Sequence, residues 1–438
     1  MVQVLSIRER LRSSLWFVPS LFAVAAIGLA LLLLTVDEAL TGDSDVFFLY
    51  GGTAEGARSV LSTIAQSMLT FTGLVFTITM LVLQLASSQL SPRVMRTFLR
   101  DRGNQVVLGL FVATFLYTLV VLREVRTAVG DDEGFVPGVS IWVSFALLLA
   151  SVGAFVYYID HMAHAIRAST VITSIANETQ QAIERLYPEQ LLEDVPRAPN
   201  RDALSRNAEF VLKAPRAGAI VAVDEAKLLS TVGEGDRYLE LVPAVGDFVP
   251  AGAPLARLGG TWDRDAGRAA QEAIGIGDER TLEQDAAFGL RQLVDVAVRA
   301  LSPGTNDPTT AVQALDRLHD LLRRLVDRHI PSPERRDDAG DLRLVLPRPG
   351  WNDYVELAVD EIRLAGAQQI QVGRRLRHML EDLLSVAPAS RQAVLRRELA
   401  LVDSGARRSF AEPADVSTAG SSSARGHALA APGGQTDE

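Results

Sequence analysis

Hydrophobic positions are distributed unevenly along this chain. Four long apolar stretches, roughly Trp16 to Val36, Val60 to Ala86, Val106 to Leu122 and Val139 to Ile159, fall in the first 160 residues, and none follows. A helix needs about 20 such residues to cross the hydrocarbon core of a bilayer. The pattern therefore predicts a four-span transmembrane domain over residues 1–160. The first stretch is longer than the apolar core of a secretory leader and lacks a clean small-x-small cleavage site after it, so it reads as an uncleaved helix.

The polar positions inside the second stretch are in register. Ser59, Thr63, Gln66, Thr70, Gly73, Thr77, Gln84 and Ser88 step by three, four and seven residues. On a helix they lie within about 40° of one line. Glutamine amides need hydrogen-bond partners that lipid does not offer, so this stripe must face protein or water. Two readings stay open. Small and hydroxylated residues serve close helix packing. The same stripe, repeated around an oligomer axis, would form the wall of a water-filled path. No ionisable side chain lies deep in any span, which weighs against a proton relay or an ion-coupled transporter. Neutral polar walls still permit a channel.

Beyond the spans the periodicity changes twice. The fourth helix is expected to continue through Ile166, Val171, Ile175, Ala182, Ile183 and Leu186 until Pro188, making residues 161–205 a helical extension and linker. Residues 206–260 predict a small β-rich, barrel-like domain, with strands at Phe210–Lys213, Ala219–Val223, Tyr238–Val242 and Leu255–Leu258 broken by Gly and Pro. Residues 261–407 predict a helical domain. Its helices are an amphipathic one over 281–301, one starting at Asp307-Pro308 (aspartate as N-cap, proline at the first helical position), one from Trp351 to Leu384 and one from Ala389 to Val402. A strand is expected at 342–346. Arg374, Arg375 and Arg377 are assigned to a solvated face, and the Ser/Gly/Ala/Pro-rich residues 408–438 to a disordered tail. The fold class is thus a membrane α-helical protein joined to a cytoplasmic α+β region, with a small β-barrel-like element and a helical bundle.

Charge orients this picture. Arg8, Arg10 and Arg12 precede the first span, Arg93, Arg96, Arg100 and Arg102 fill the loop between the second and third, and Arg167 follows the fourth. The other two loops are rich in Asp and Glu. By the positive-inside rule both termini are cytoplasmic. The formal net charge of −10 argues against nucleic acid as a partner. The absence of cysteine removes disulfides, thiolate metal sites and cysteine nucleophiles. Asp160, His161 and His164 at the end of the fourth span are expected to anchor it at the interface, with a pH-sensitive junction as the alternative. No metal or cofactor is expected.

The stretch from Gln284 to Pro308, containing Gln284-Asp285, Arg291, Asp295, Arg299 and Ser302-Pro303-Gly304-Thr305-Asn306-Asp307-Pro308, resembles the bacterial DUF2254 family of predicted membrane proteins. So do the Gly246-Asp247-Phe248-Val249 turn and the Ser/Thr-rich second span. The resemblance covers roughly residues 10–405. It implies the same four-span architecture and carries no activity or catalytic residue. Arg291, Asp295, Arg299, Asn306 and Asp307 have a structural reading, a charge ladder followed by a capped turn. Their functional reading is a pocket for a small anionic ligand. Neither a phosphate loop nor a nucleophile elbow is present, so no catalytic residue is assigned and an enzyme is not expected. With the bacterial family as the guide to location, the expectation is a homo-oligomeric, channel-like, multi-pass protein in the lipid bilayer of a bacterial plasma membrane, gated by or sensing a ligand through its cytoplasmic region. A non-conducting sensor or scaffold is the alternative.

Overall fold

A computed structural model of the chain describes residues 16–40, 53–89, 102–127, 134–165, 167–189, 210–233, 236–337 and 340–421. The described residues fall into two compact units, divided in sequence between Arg167 and Ala168.

The first unit holds four helices long and apolar enough to span a membrane: α1 (Phe17–Leu40), α2 (Ala54–Gln89), α3 (Arg102–Glu124) and α4 (Gly138–Ala165). The shortest, α3, is the most buried of the four. Ala26 and Ala30 of α1, Ala57 and Leu61 of α2, Tyr117 and Val121 of α3 and Ile141 of α4 share one apolar cluster. Small residues let the helices approach: a Cβ on Gly109 of α3 would meet the Phe22 ring at 3.1 Å. Hydroxyls pair across helices, half-buried Thr79 with Tyr158 at 2.7 Å and buried Thr114 with Ser151 at 3.0 Å. Asp37, buried at the end of α1, accepts from the Val139 and Ser140 N–H groups at 2.8 and 3.0 Å and from the Ser140 hydroxyl at 2.6 Å. It thereby satisfies the orphan donors that open α4. At the end of α4, His164 pairs with Asp160 at 3.5 Å and His161 stacks on Tyr157. The arginine-rich loop between α2 and α3 lies outside the described residues except for Arg102.

The second unit opens with α5 (Ala168–Leu186), a helix separate from α4. The expected continuous extension is therefore two helices. The reason is packing: Val171, Ile172, Ile175, Ala176, Thr179, Ala182 and Ile183 form a buried face, and that face belongs to this unit's own core.

The β-prone region forms β1 (Phe210–Lys213), β2 (Gly218–Val223), β3 (Tyr238–Leu241), β4 (Phe248–Val249), β5 (Pro254–Gly259) and β6 (Ile274–Gly277), with α6 (Glu225–Val232) and α7 (Arg264–Glu272) between them. Two further strands come from much later in the chain, β7 (Glu334–Arg336) and β8 (Leu342–Val345). The sheets run β1-β5-β3-β8-β7 and β4-β2-β6. Where a small barrel within 206–260 was expected, the described strands make two open sheets. A local barrel fails because β3 is bordered by β8, in parallel, with Leu239 opposite Leu344, and a parallel neighbour requires a long crossover. Ile220, Leu228, Leu239, Leu255, Leu258, Ile274 and Leu344 fill the core.

The helical part comprises α8 (Ala286–Ala300), α9 (Pro308–Leu325), α10 (Trp351–Ala365), α11 (Ile370–Val386), α12 (Gln392–Ser409) and α13 (Pro413–Ala419). α8 is central, touching α5, α9 and α10. The single helix expected from Trp351 to Leu384 is broken at Gly366, where a Cβ would meet Val372 at 2.5 Å. Arg374 and Arg375, assigned to a solvated face, are buried. Arg374 donates to the Thr418 carbonyl at 2.6 Å, and Arg375 to Asp316 at 2.6 Å. α11 is enclosed because α13, in what was expected to be a disordered tail, folds back over it. Residues 422–438 of that tail lie outside the described ones.

Candidate functional site

The stripe on α2 has a definite placement in the membrane unit. Ser59, Thr63, Gln66, Thr70, Gly73, Thr77 and Gln84 are all exposed, whereas Ala57, Leu61, Ile64, Ala65, Met68, Val75 and Val82 are buried. α2 therefore packs on its neighbours through an apolar face and turns its polar line outward. The hydroxyls fall back on their own helix: Thr63 donates to the Ser59 carbonyl at 2.8 Å, Thr70 to Gln66 at 3.0 Å and Thr77 to Gly73 at 2.9 Å. The Gln66 amide reaches the Ser62 hydroxyl only at 3.5 Å. Leu69, Leu74 and Phe76 flank the stripe and are also exposed. Ser88 falls outside the described side chains.

The five residues assigned to an anion pocket are engaged with protein. Arg291 pairs with Asp295 at 2.8 Å and through Nη2 with Glu361 of α10 at 2.7 Å. Asp307 caps α9, accepting from the Thr310 N–H at 3.1 Å and its hydroxyl at 2.6 Å. Asn306 holds φ at +48°, which asparagine tolerates better than most residues, and accepts from Gln369 at 3.1 Å. Arg299 lies one turn beyond Asp295 on α8. None of the five lines the cavity described next.

That cavity, of about 340 Å³, lies within the C-terminal unit. It sits where β2 and β3 end, at Val223 and Leu241, and just past β8, at Leu346, facing the start of α8 and the side of α10. Its walls are largely apolar. Tyr187, one residue past α5, and Tyr354 of α10 meet in it with their hydroxyls 2.8 Å apart and their rings edge to face. Both are buried. Tyr187 is fixed by its own N–H to the Ile183 carbonyl and by Arg328, which donates to its carbonyl at 2.6 Å. Burial raises the pKa of both phenols; for Tyr187 the Tyr354 hydrogen bond and the nearby Arg348 charge oppose that rise.

Asp285 lies at the base of the cavity with its side chain 3% exposed. One carboxylate oxygen caps α8 by accepting from Phe288 N–H at 3.0 Å, and the other takes two bonds from Arg280 at 2.8 and 2.9 Å. Burial raises its pKa, while Arg280 and the cap pull it down. The turn at Gly246 presses on this pair. Its φ is +96°, and a Cβ there would come 2.3 Å from Asp285 Oδ2. The Gly246 turn and the Gln284-Asp285 pair, far apart in sequence, are thus one structure. Gln284 spends both ends of its amide on Val223, at 2.8 and 3.2 Å. At the rim, Arg348 stands between Pro347 and Pro349, and Glu225 takes one bond from it and one from Arg335.

Sequence periodicity assigns Asp285 to an exposed helix face, although it is the buried N-cap. Tyr187 and Arg348 give no periodic signal because each lies in a proline-bounded segment between elements. The Pro-Arg-Pro spacing is the one clue in the sequence, since it displays one cation on stiff backbone. Among the described residues no group of three or more His, Asp or Glu converges as a metal site would require.

Comparison with known proteins follows the same outline. The family described as predicted membrane protein (DUF2254) matches residues 12–382. Uncharacterised proteins of Mycobacterium bovis and Mycobacterium tuberculosis are each 35% identical over 427 residues, covering 94% of this chain and 79% of theirs. No solved structure matches the chain.

Proposed function

The chain belongs to the DUF2254 family of predicted membrane proteins, and we propose that it works as a homo-oligomeric, channel-like protein of the bacterial plasma membrane. In this reading both termini and the C-terminal unit are cytoplasmic, and the C-terminal unit senses a ligand. One observation supports it above the others: Gln66, with Thr63, Thr70 and Thr77, lies on the outer surface of the four-helix unit. Packing among the described residues leaves that line uncovered. An amide facing hydrocarbon without partners costs several kcal/mol. A second copy or a column of water relieves that cost, and an oligomer axis supplies both.

The test is flux of ions and small osmolytes from liposomes holding purified protein, beside the Gln66→Leu and Thr70→Leu double variant. The expected result is flux in the wild type and at least a tenfold loss in the variant, with oligomer size and melting temperature kept. Equal flux in the two would remove the stripe from the path. A wild type silent under every voltage, tension and pH would favour a non-conducting sensor, a reading supported by the cavity in the C-terminal unit.

A further inference from the structure

Hydrogen-bond capacity around the 340 Å³ cavity is unbalanced. Each acceptor at its base is engaged: Asp285 accepts through both oxygens, and Gln284 is closed on Val223. Glu225 is shared between Arg335 and Arg348. Donors are left over. Arg348 gives one N–H group, through Nη2, to Glu225, so most of the five donors of its guanidinium remain. The two tyrosine hydroxyls carry two protons and spend one on their mutual bond, leaving a second donor on a nearly fully buried pair. The rest of the lining, with Leu186, Val245, Leu346, Pro347 and Pro349 among it, is apolar apart from Asp224, whose Oδ1 accepts from the Lys227 N–H at 3.1 Å as the cap of α6.

We propose that this cavity binds a small amphipathic monocarboxylate, its carboxylate held by Arg348 and the Tyr187–Tyr354 hydroxyl pair and its apolar body against Val245, Leu346 and Pro349. A carboxylate supplies the acceptors that both donors lack, and guanidinium binds it through two parallel bonds. The volume lies at the small end of ligand pockets, about 300–1,000 Å³, so an aromatic or short branched body fits and a lipid does not. A dicarboxylate is disfavoured because its second charge would meet the apolar wall. The proposal deepens the ligand-sensing part of the function above, yet rests on the cavity alone.

Equilibrium binding of benzoate, indole-3-acetate and indole-3-acetamide to the full-length protein in detergent tests it without any measurement of flux, so either reading can fail without the other. The comparison set is wild type, Arg348→Gln and Val245→Trp. Glu225 keeps Arg335 in the first variant, and Val245 is only partly buried, so both should fold, checked by circular dichroism and melting temperature. One of the two carboxylates should bind the wild type saturably, at least tenfold tighter than the amide. Arg348→Gln should remove that preference and Val245→Trp should remove binding. Failure of both carboxylates to bind, amide binding as tight as acid, or undiminished binding to both variants would each overturn the proposal.

Discussion

His319 shows how much one buried ring is told by its neighbours. On α9 it is sandwiched by α11: Arg375 donates to Nδ1 at 2.9 Å and Nε2 lies 2.8 Å from Asp382, which also takes Arg323. A donor at Nδ1 makes that nitrogen the acceptor, so the proton sits on Nε2 and the ring is neutral. Burial, with the charges of Arg375 and His378, holds its pKa below the ordinary 6.5, against the pull of Asp382. A depressed histidine pKa means the unfolded chain takes up the proton first as pH falls. The stabilisation is complete above pH 6.5 and is lost as pH falls through 6.5 toward the lower folded value. The advantage of wild type over His319→Gln in melting temperature should therefore be constant well above pH 6.5 and shrink as pH falls below it. Parallel melting curves for the two proteins over that range would contradict the assignment.

Among the helices, the crossing of α5 over α8 is the tightest contact made by a single glycine in the helical part. A Cβ on Gly289 would fall 2.0 Å from Thr179 Oγ1, itself bonded to the Ile175 carbonyl at 2.6 Å. Thr179 is β-branched and buried, so it has little freedom to yield. Gly289→Ala should destabilise the C-terminal unit by about 1–3 kcal/mol, the usual cost of overpacking. The lowered melting temperature should recover in part when Thr179→Ala is added, since the two sites are in contact. An unchanged single variant would mean the helices separate without penalty. Helical periodicity finds α8 and its apolar face; it does not say that Gly289 is the point of closest approach, because that depends on which helix lies across it.

For the whole molecule, the decisive matter is what covers the outward face of α2. A native chain without cysteine makes this directly measurable. Around an oligomer axis lined by α2, Thr70→Cys would bring equivalent positions of two copies together. A disulfide forms only when Cα atoms approach to about 4.4–6.8 Å. Thr70→Cys should cross-link into dimers in native membranes under mild oxidation, while Leu69→Cys, about 100° around the helix, should not. Equal cross-linking of both, or of neither, would count against a stripe-lined axis.

Much of this protein is determined by sequence alone, because local rules suffice for it. Length and apolarity mark four spans, proline and aspartate mark the start of α9 at Asp307-Pro308, and β1, β2, β3, β5 and β8 follow from short β-prone runs. A step of three and four residues makes the α2 stripe a single face whatever surrounds it. Tertiary structure decided everything that depends on a distant partner. It pairs β3 with β8 across some 100 residues of sequence, a distance short-range patterns do not encode. It buries Arg374 under α13, in a segment the composition assigns to a disordered tail, and Arg375 against Asp316 and His319 of α9. It joins the Gly246 turn to Asp285, and it brings Tyr187, Arg348 and Tyr354 to one cavity. The physical reason is common to all of these. Burial and hydrogen-bond satisfaction are properties of assembled surfaces, and a residue's own neighbours in sequence fix its direction on an element but not what it will face.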